Sequence, residues 1–150
     1  MLPHAVWIMP PNRASVRMVN AGLDAFCILN GFDENHSRRI QVCLEGVFMY
    51  CARNIMTQAD PHDIEVRLYW RTNRLEMFVE HHGPRGEWDD CLRRNSHVPL
   101  RRTSFEAMGL FIAREILDEL TFEARYDIAA GGEVLTYGLV HSLGDEMPSS

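Results

Sequence analysis

Glu45, Met49 and Arg53 follow one another at four-residue spacing, which on an α-helix stacks their side chains along one face. A carboxylate placed there can act as a general base, and a guanidinium one turn beyond Met49 can hold phosphate oxygens in its fork. The simpler alternative is a solvated helix face. His81 and His82 stand together before Gly83 at the end of an alternating apolar run. Imidazoles ligate metals, but a metal site needs further ligands and no third accompanies this pair, so an ordinary strand-end histidine is the other reading. Gly109 sits near the start of an apolar helical stretch. A glycine there serves either close helix packing or the approach of backbone amides to a phosphate. Arg93, Arg94, Arg101 and Arg102 form a cluster that could reach phosphate oxygens or simply solvate a loop.

Composition removes several chemistries. All 15 basic residues are arginine, so no lysine can serve as a Schiff-base nucleophile or a P-loop phosphate ligand. A formal charge of −6 disfavours a nucleic-acid partner, because phosphate backbones are bound mainly by clustered cations. Cys27, Cys43, Cys51 and Cys91 contain no C-x-x-C pair, and three fall in apolar helical patterns where a thiol packs as a small hydrophobe. No run approaches the roughly 20 apolar residues of a membrane span. The opening MLPHAVWIMPPNR lacks the pattern of a signal peptide, so the expectation is a soluble, cytoplasmic protein with no membrane partner.

The elements that must carry these residues are legible from periodicity. A short apolar segment around Ala5 to Met9 ends at Pro10 and Pro11, and Asn12 can cap a helix carrying Val16, Val19, Leu23 and Phe26 as far as Gly31. Asp33 to Ser37 offers caps for a second helix with Ile40, Leu44, Val47, Cys51 and Ile55 on one face. From Asp63 the period becomes two. Ile64, Val66, Leu68 and Trp70, then Leu75, Met77 and Val79, predict two strands turned at Thr72 to Arg74. Residues Gly83 to Ser104 have neither period and predict a long loop. A third helix is expected from Phe105 to Leu120, then a hairpin of Thr121 to Tyr126 and Val134 to Val140 turned at Gly131 and Gly132. The sum is an α+β two-layer sandwich over residues 1–143, followed by a flexible tail of 144–150.

That order resembles the histidine-kinase-like ATPase (Bergerat, GHKL) fold, and within it the bacterial anti-sigma-factor serine kinases. The resemblance runs from about Val6 to His141 and is carried by RRIQVCLEGVFMYCARNIM, LEMFVEHHGP and MGLFIAREILDELTFE. It implies an ATP and Mg²⁺ site. Glu45 matches the glutamate of an E-x-x-x-N motif, while Met49 replaces its metal-binding asparagine with a thioether, a poor ligand for a hard cation. His81 replaces the aspartate of D-x-G that would bind adenine, and Gly83 keeps that motif's glycine. Gly109 alone remains of a glycine-rich phosphate turn.

The resemblance therefore implies an anti-sigma-factor-like regulator acting in partner switching through protein binding, with ATP binding weakened or lost. Its alternative is an active serine kinase that phosphorylates an anti-anti-sigma antagonist, with Glu45 as base and arginines such as Arg53 supplying phosphate contacts. It also implies a sigma factor or an anti-anti-sigma antagonist as partner, a homodimeric state, and a mobile lid over residues 83–104. The exposed side of the first helix, with Arg13, Arg17, Asn20 and Asp24, is either a partner face or plain solvated surface.

Overall fold

The computed structural model describes residues 2–100 and 105–143. Five antiparallel strands form one sheet in the order β1-β2-β3-β5-β4, with three helices on one face. The strands are β1 (Ala5–Met9), β2 (Ile64–Arg71), β3 (Arg74–His81), β4 (Glu119–Asp127) and β5 (Gly132–Ser142). The helices are α1 (Arg13–Leu29), α2 (Glu34–Met56) and α3 (Phe105–Ile116). This is the expected α+β two-layer sandwich. The expected tail, 144–150, lies outside the described residues, as do Arg101 and Arg102.

Both expected caps form. The Asn12 side chain accepts from the Ser15 N–H at 2.9 Å and Asp33 from the His36 N–H at 2.8 Å, each satisfying an amide that the helix leaves open. Val16, Val19, Leu23 and Cys27 of α1 and Ile40, Leu44, Val47, Cys51 and Ile55 of α2 are buried against the sheet. Their facing partners are the alternate residues Ile64, Val66 and Leu68 of β2, Leu75, Met77 and Val79 of β3, and Leu135, Tyr137 and Leu139 of β5. The period-two pattern thus sets which face is covered. Thr72 and Asn73, at φ 36° and 61°, make the tight β2-β3 turn, so that Arg71 pairs with Arg74.

Two expectations are corrected. The third helix stops at Ile116 rather than running to Leu120, because the chain is captured by the sheet. The Asp118 N–H donates to the Val140 carbonyl at 2.9 Å, the Asp118 carboxylate accepts from the Ser142 N–H, and Glu119 and Leu120 pair with Val140 and Leu139. Strand pairing wins over a helical pattern that continues in the sequence. The stretch after β3 is also not featureless: it carries a 3₁₀ turn at Asp89–Leu92, with Asp89, Cys91 and Leu92 buried. All four cysteines are free and buried. Burial pushes the Cys43 thiol up to about 12 and raises the other three, as for inert core thiols.

Candidate functional site

A groove of about 270 Å³ opens between α1, α2 and α3. Glu45, Met49, Arg53 and Gly109 all line it, with Arg13 from α1 and Val42, Gly46, Phe105, Met108 and Ile112 from the two helices that form its walls. The four-residue spacing on α2 is what aligns the first three. Glu45 faces Arg13 at 3.9 Å, with the two side chains 44% and 61% exposed, a loose pair in water. The Arg53 guanidinium lies over the Phe105 ring, 5.4 Å from its centroid.

The floor of this groove is a helix crossing. A Cβ on Gly46 would stand 2.8 Å from the Gly109 carbonyl oxygen, and one on Gly109 would stand 3.1 Å from the Gly46 Cα. Backbone meets backbone, so each glycine is required by the other. Gly109 also lies one turn inside α3, where its neighbours are helical backbone rather than an open anion-binding turn. Gly46 was not singled out from the sequence. Its signal was present, a glycine inside an otherwise strong helical pattern, which costs helix propensity unless something approaches closely.

His81 and Gly83 do not line the groove. His81 ends β3, is 1% exposed, and stacks on Tyr137 with ring centroids 5.8 Å apart and planes 9° from parallel. Its Nδ1 accepts the Gly83 N–H at 3.0 Å, a bond that the left-handed backbone of Gly83, φ +97°, makes possible. With that nitrogen accepting, the neutral ring carries its proton on Nε2, which is buried and has no partner among the described residues. Burial lowers its pKa to about 4, and the neighbouring His62 and His82 act in the same direction. His82 instead meets His62 edge-on at 6.1 Å. Among the described residues no group of three histidine, cysteine or acidic side chains could hold a metal ion.

Beside His81 lies a constellation that sequence reasoning missed. The Oδ1 of Asp89 accepts the hydroxyls of Tyr50 on α2 and Tyr137 on β5, at 2.7 and 2.6 Å, and its Oδ2 accepts the Gly86 N–H at 2.7 Å. The Tyr50 oxygen in turn accepts the Trp88 N–H at 2.9 Å. Burial raises the Asp89 carboxyl against the lowering effect of these donors, and burial also drives both phenols well above the usual tyrosine range. The segment is seated so closely that a Cβ on Gly86 would fall 1.9 Å from the Tyr50 hydroxyl. On the surface, Arg85 adds a two-pronged pair with Glu133, at 3.1 and 2.7 Å. The chain from Gly83 to Leu92 is therefore a strap pinned across α2 and β5.

Of the α1 face, Arg13 belongs to the groove, while Arg17, Asn20 and Asp24 border a shallow polar hollow against Glu34, Arg38 and Gln41 of α2. Asp24 is engaged there, accepting from Ser37 at 3.0 Å and Gln41 at 3.2 Å.

Among the described residues the groove offers one carboxylate, Glu45, beside the guanidinium groups of Arg13 and Arg53. Met49, at the position the resemblance assigns to the metal, offers a thioether, which supplies no hard oxygen. His81, at the position the resemblance assigns to adenine, is buried and accepts the Gly83 N–H.

No protein-family model matches the chain, and no curated protein does. Among solved structures, a chain in the crystal structure of the SiaB-SiaC complex from Pseudomonas aeruginosa is similar, with a TM-score of 0.71 and 9% sequence identity. The similarity covers 92% of this chain and 90% of that one, so the two share a fold over nearly their whole lengths. Among the described residues no helix is long and apolar enough to cross a membrane.

Proposed function

We propose that this chain is an anti-sigma-factor-like regulatory protein of the GHKL type that works by binding other proteins, its nucleotide binding weakened or lost. One observation carries the reading. The residues that the sequence resemblance assigns to one nucleotide site fall in two places, Glu45, Met49 and Arg53 in the outer groove and His81 in the interior beside Tyr137. A bound nucleotide must touch both sets at once. The likeness to a chain found in a protein–protein complex agrees with this reading, and the resemblance supplies the partner class, a sigma factor or an anti-anti-sigma antagonist. The serine-kinase alternative requires Glu45 to take the proton of a serine hydroxyl that attacks a phosphate held by Mg²⁺, and Met49 supplies no ligand for that ion.

Calorimetric titration with Mg·ATP tests the proposal. No binding tighter than about 1 mM, roughly −4 kcal/mol, is expected. A micromolar isotherm abolished by chelator would overturn it in favour of the kinase.

A further inference from the structure

The groove between α1, α2 and α3 combines an apolar floor with a cationic rim, and this combination selects a kind of partner. Val42 is 48% exposed and Phe105 80%, and the half-buried Met49, Met108 and Ile112 lie between them. From Val42 to Arg53 the wall formed by α2 spans twelve residues, a rise of roughly 16 Å or three turns of helix. The two ends of the groove differ from the rest of the molecule. The chain carries a formal charge of −6, whereas Arg13 and Arg53 outnumber the single carboxylate, Glu45, among the described charged side chains that line this groove. Arg53 has no carboxylate partner among the described residues; it rests on the face of Phe105 and leaves its donors available. A local cationic rim on an acidic protein attracts acidic groups and repels basic ones, and thioethers adapt their shape to an incoming apolar stripe.

We infer that the groove is a docking site for an amphipathic helix of a partner protein, about three turns long, with an apolar stripe on the methionine floor and acidic residues at its flanks against Arg13 and Arg53. The inference rests on the protein-binding reading of the same groove and adds the chemistry of the segment bound.

Two synthetic helical peptides of 14 residues test it, identical in a leucine stripe at i, i+3, i+4 and i+7 but flanked by glutamate in one and lysine in the other. Each is titrated into the full chain carrying ¹³C-methyl methionine and followed by NMR. The expected result is a shift of the Met49 and Met108 methyl signals by the glutamate peptide, with at least about tenfold preference over the lysine peptide. Arg53→Glu, a change at the groove's rim, should remove or reverse that preference, and Arg13→Glu should do the same if Arg53→Glu disturbs the fold. Equal binding of both peptides, binding of neither, or shifts confined to Met18 and Met56, which do not line the groove, would overturn the inference. These results leave the calorimetric test untouched, because absence of both ATP and peptide binding rejects only the docking chemistry.

Discussion

Two faces of the same helix carry opposite solutions to the burial of polar groups. On one, Glu45, Met49 and Arg53 look into an open groove whose charge pair among the described residues is long and half-exposed. On the other, Tyr50 points into the interior and shares the Asp89 carboxylate with Tyr137, with a strap of backbone laid over it. The groove leaves apolar surface and a guanidinium available to something else. The interior has filled itself with its own side chains. A site that is occupied by the protein's own residues binds nothing until they move, whereas an open groove needs only a complementary partner. On the proposed reading, recognition belongs to the α1-α2-α3 side of the molecule, while the strap side is closed by its own hydrogen bonds.

The contrast is most directly broken at Asp89. Asp89→Ala leaves two buried phenol hydroxyls and the Gly86 amide without their acceptor, and the expected loss is about 3–5 kcal/mol in urea unfolding. Amide exchange at Gly86 and Trp88 should accelerate strongly in this variant, since the strap then opens at little free-energy cost. A loss below about 1 kcal/mol would mean that the strap is not the closed element described.

A second effect, of roughly 3 kcal/mol at most, is expected from His81 as a function of pH. Its folded pKa is lowered from 6.5 to about 4, so the unfolded chain binds the proton more readily. Its contribution is therefore fully present above about 6.5 and is lost as pH falls from there to about 4. Asp89, whose carboxyl is raised by burial, titrates with the opposite sign toward the acid end, and His141, lowered by burial and by His36, adds to the His81 trend. The difference between wild type and His81→Gln isolates the first term. A stability difference that stays flat across this window would show that His81 is open to water in solution.

The smallest of the three effects belongs to the groove. Gly46→Ala drives a methyl into the Gly109 carbonyl, and because both sides of the contact are helix backbone, neither yields by rotating a side chain. A cost of about 2 kcal/mol is expected by thermal unfolding. The same substitution should widen the groove between α2 and α3, giving new chemical shifts at Met49 and Met108. Stability equal to wild type would show that the two helices separate freely, and that the floor of the groove is softer than the strap side.

Most of the architecture was legible because it is written in local patterns. Asn12 and Asp33 announced their helices, the change of period at Asp63 announced the sheet, and Gly31 and Gly131 marked stops at left-handed backbone, φ +74° and +73°. The helical line continuing to Leu120 misled, since nothing local says that Val140 will claim Asp118 and Glu119. The groove was legible in part. Spacing along one helix aligned Glu45, Met49 and Arg53, but Gly46 and Gly109 became a pair only when two helices crossed.

The strap was not legible at all. Asp89 lies in an aperiodic, polar run, and its partners Tyr50 and Tyr137 are 39 and 48 residues away. The sequence by itself determined the elements, their order and the face each one buries, because helix and strand periods and caps are set by residues a few positions apart. Tertiary structure alone decided that four of the six candidate residues share one groove while His81 is drawn into the interior and Gly83 bonds to it from the strap. A hydrogen bond between residues tens of positions apart leaves no repeat in the chain, and its energy exists only once packing has excluded the water that would otherwise satisfy each group alone.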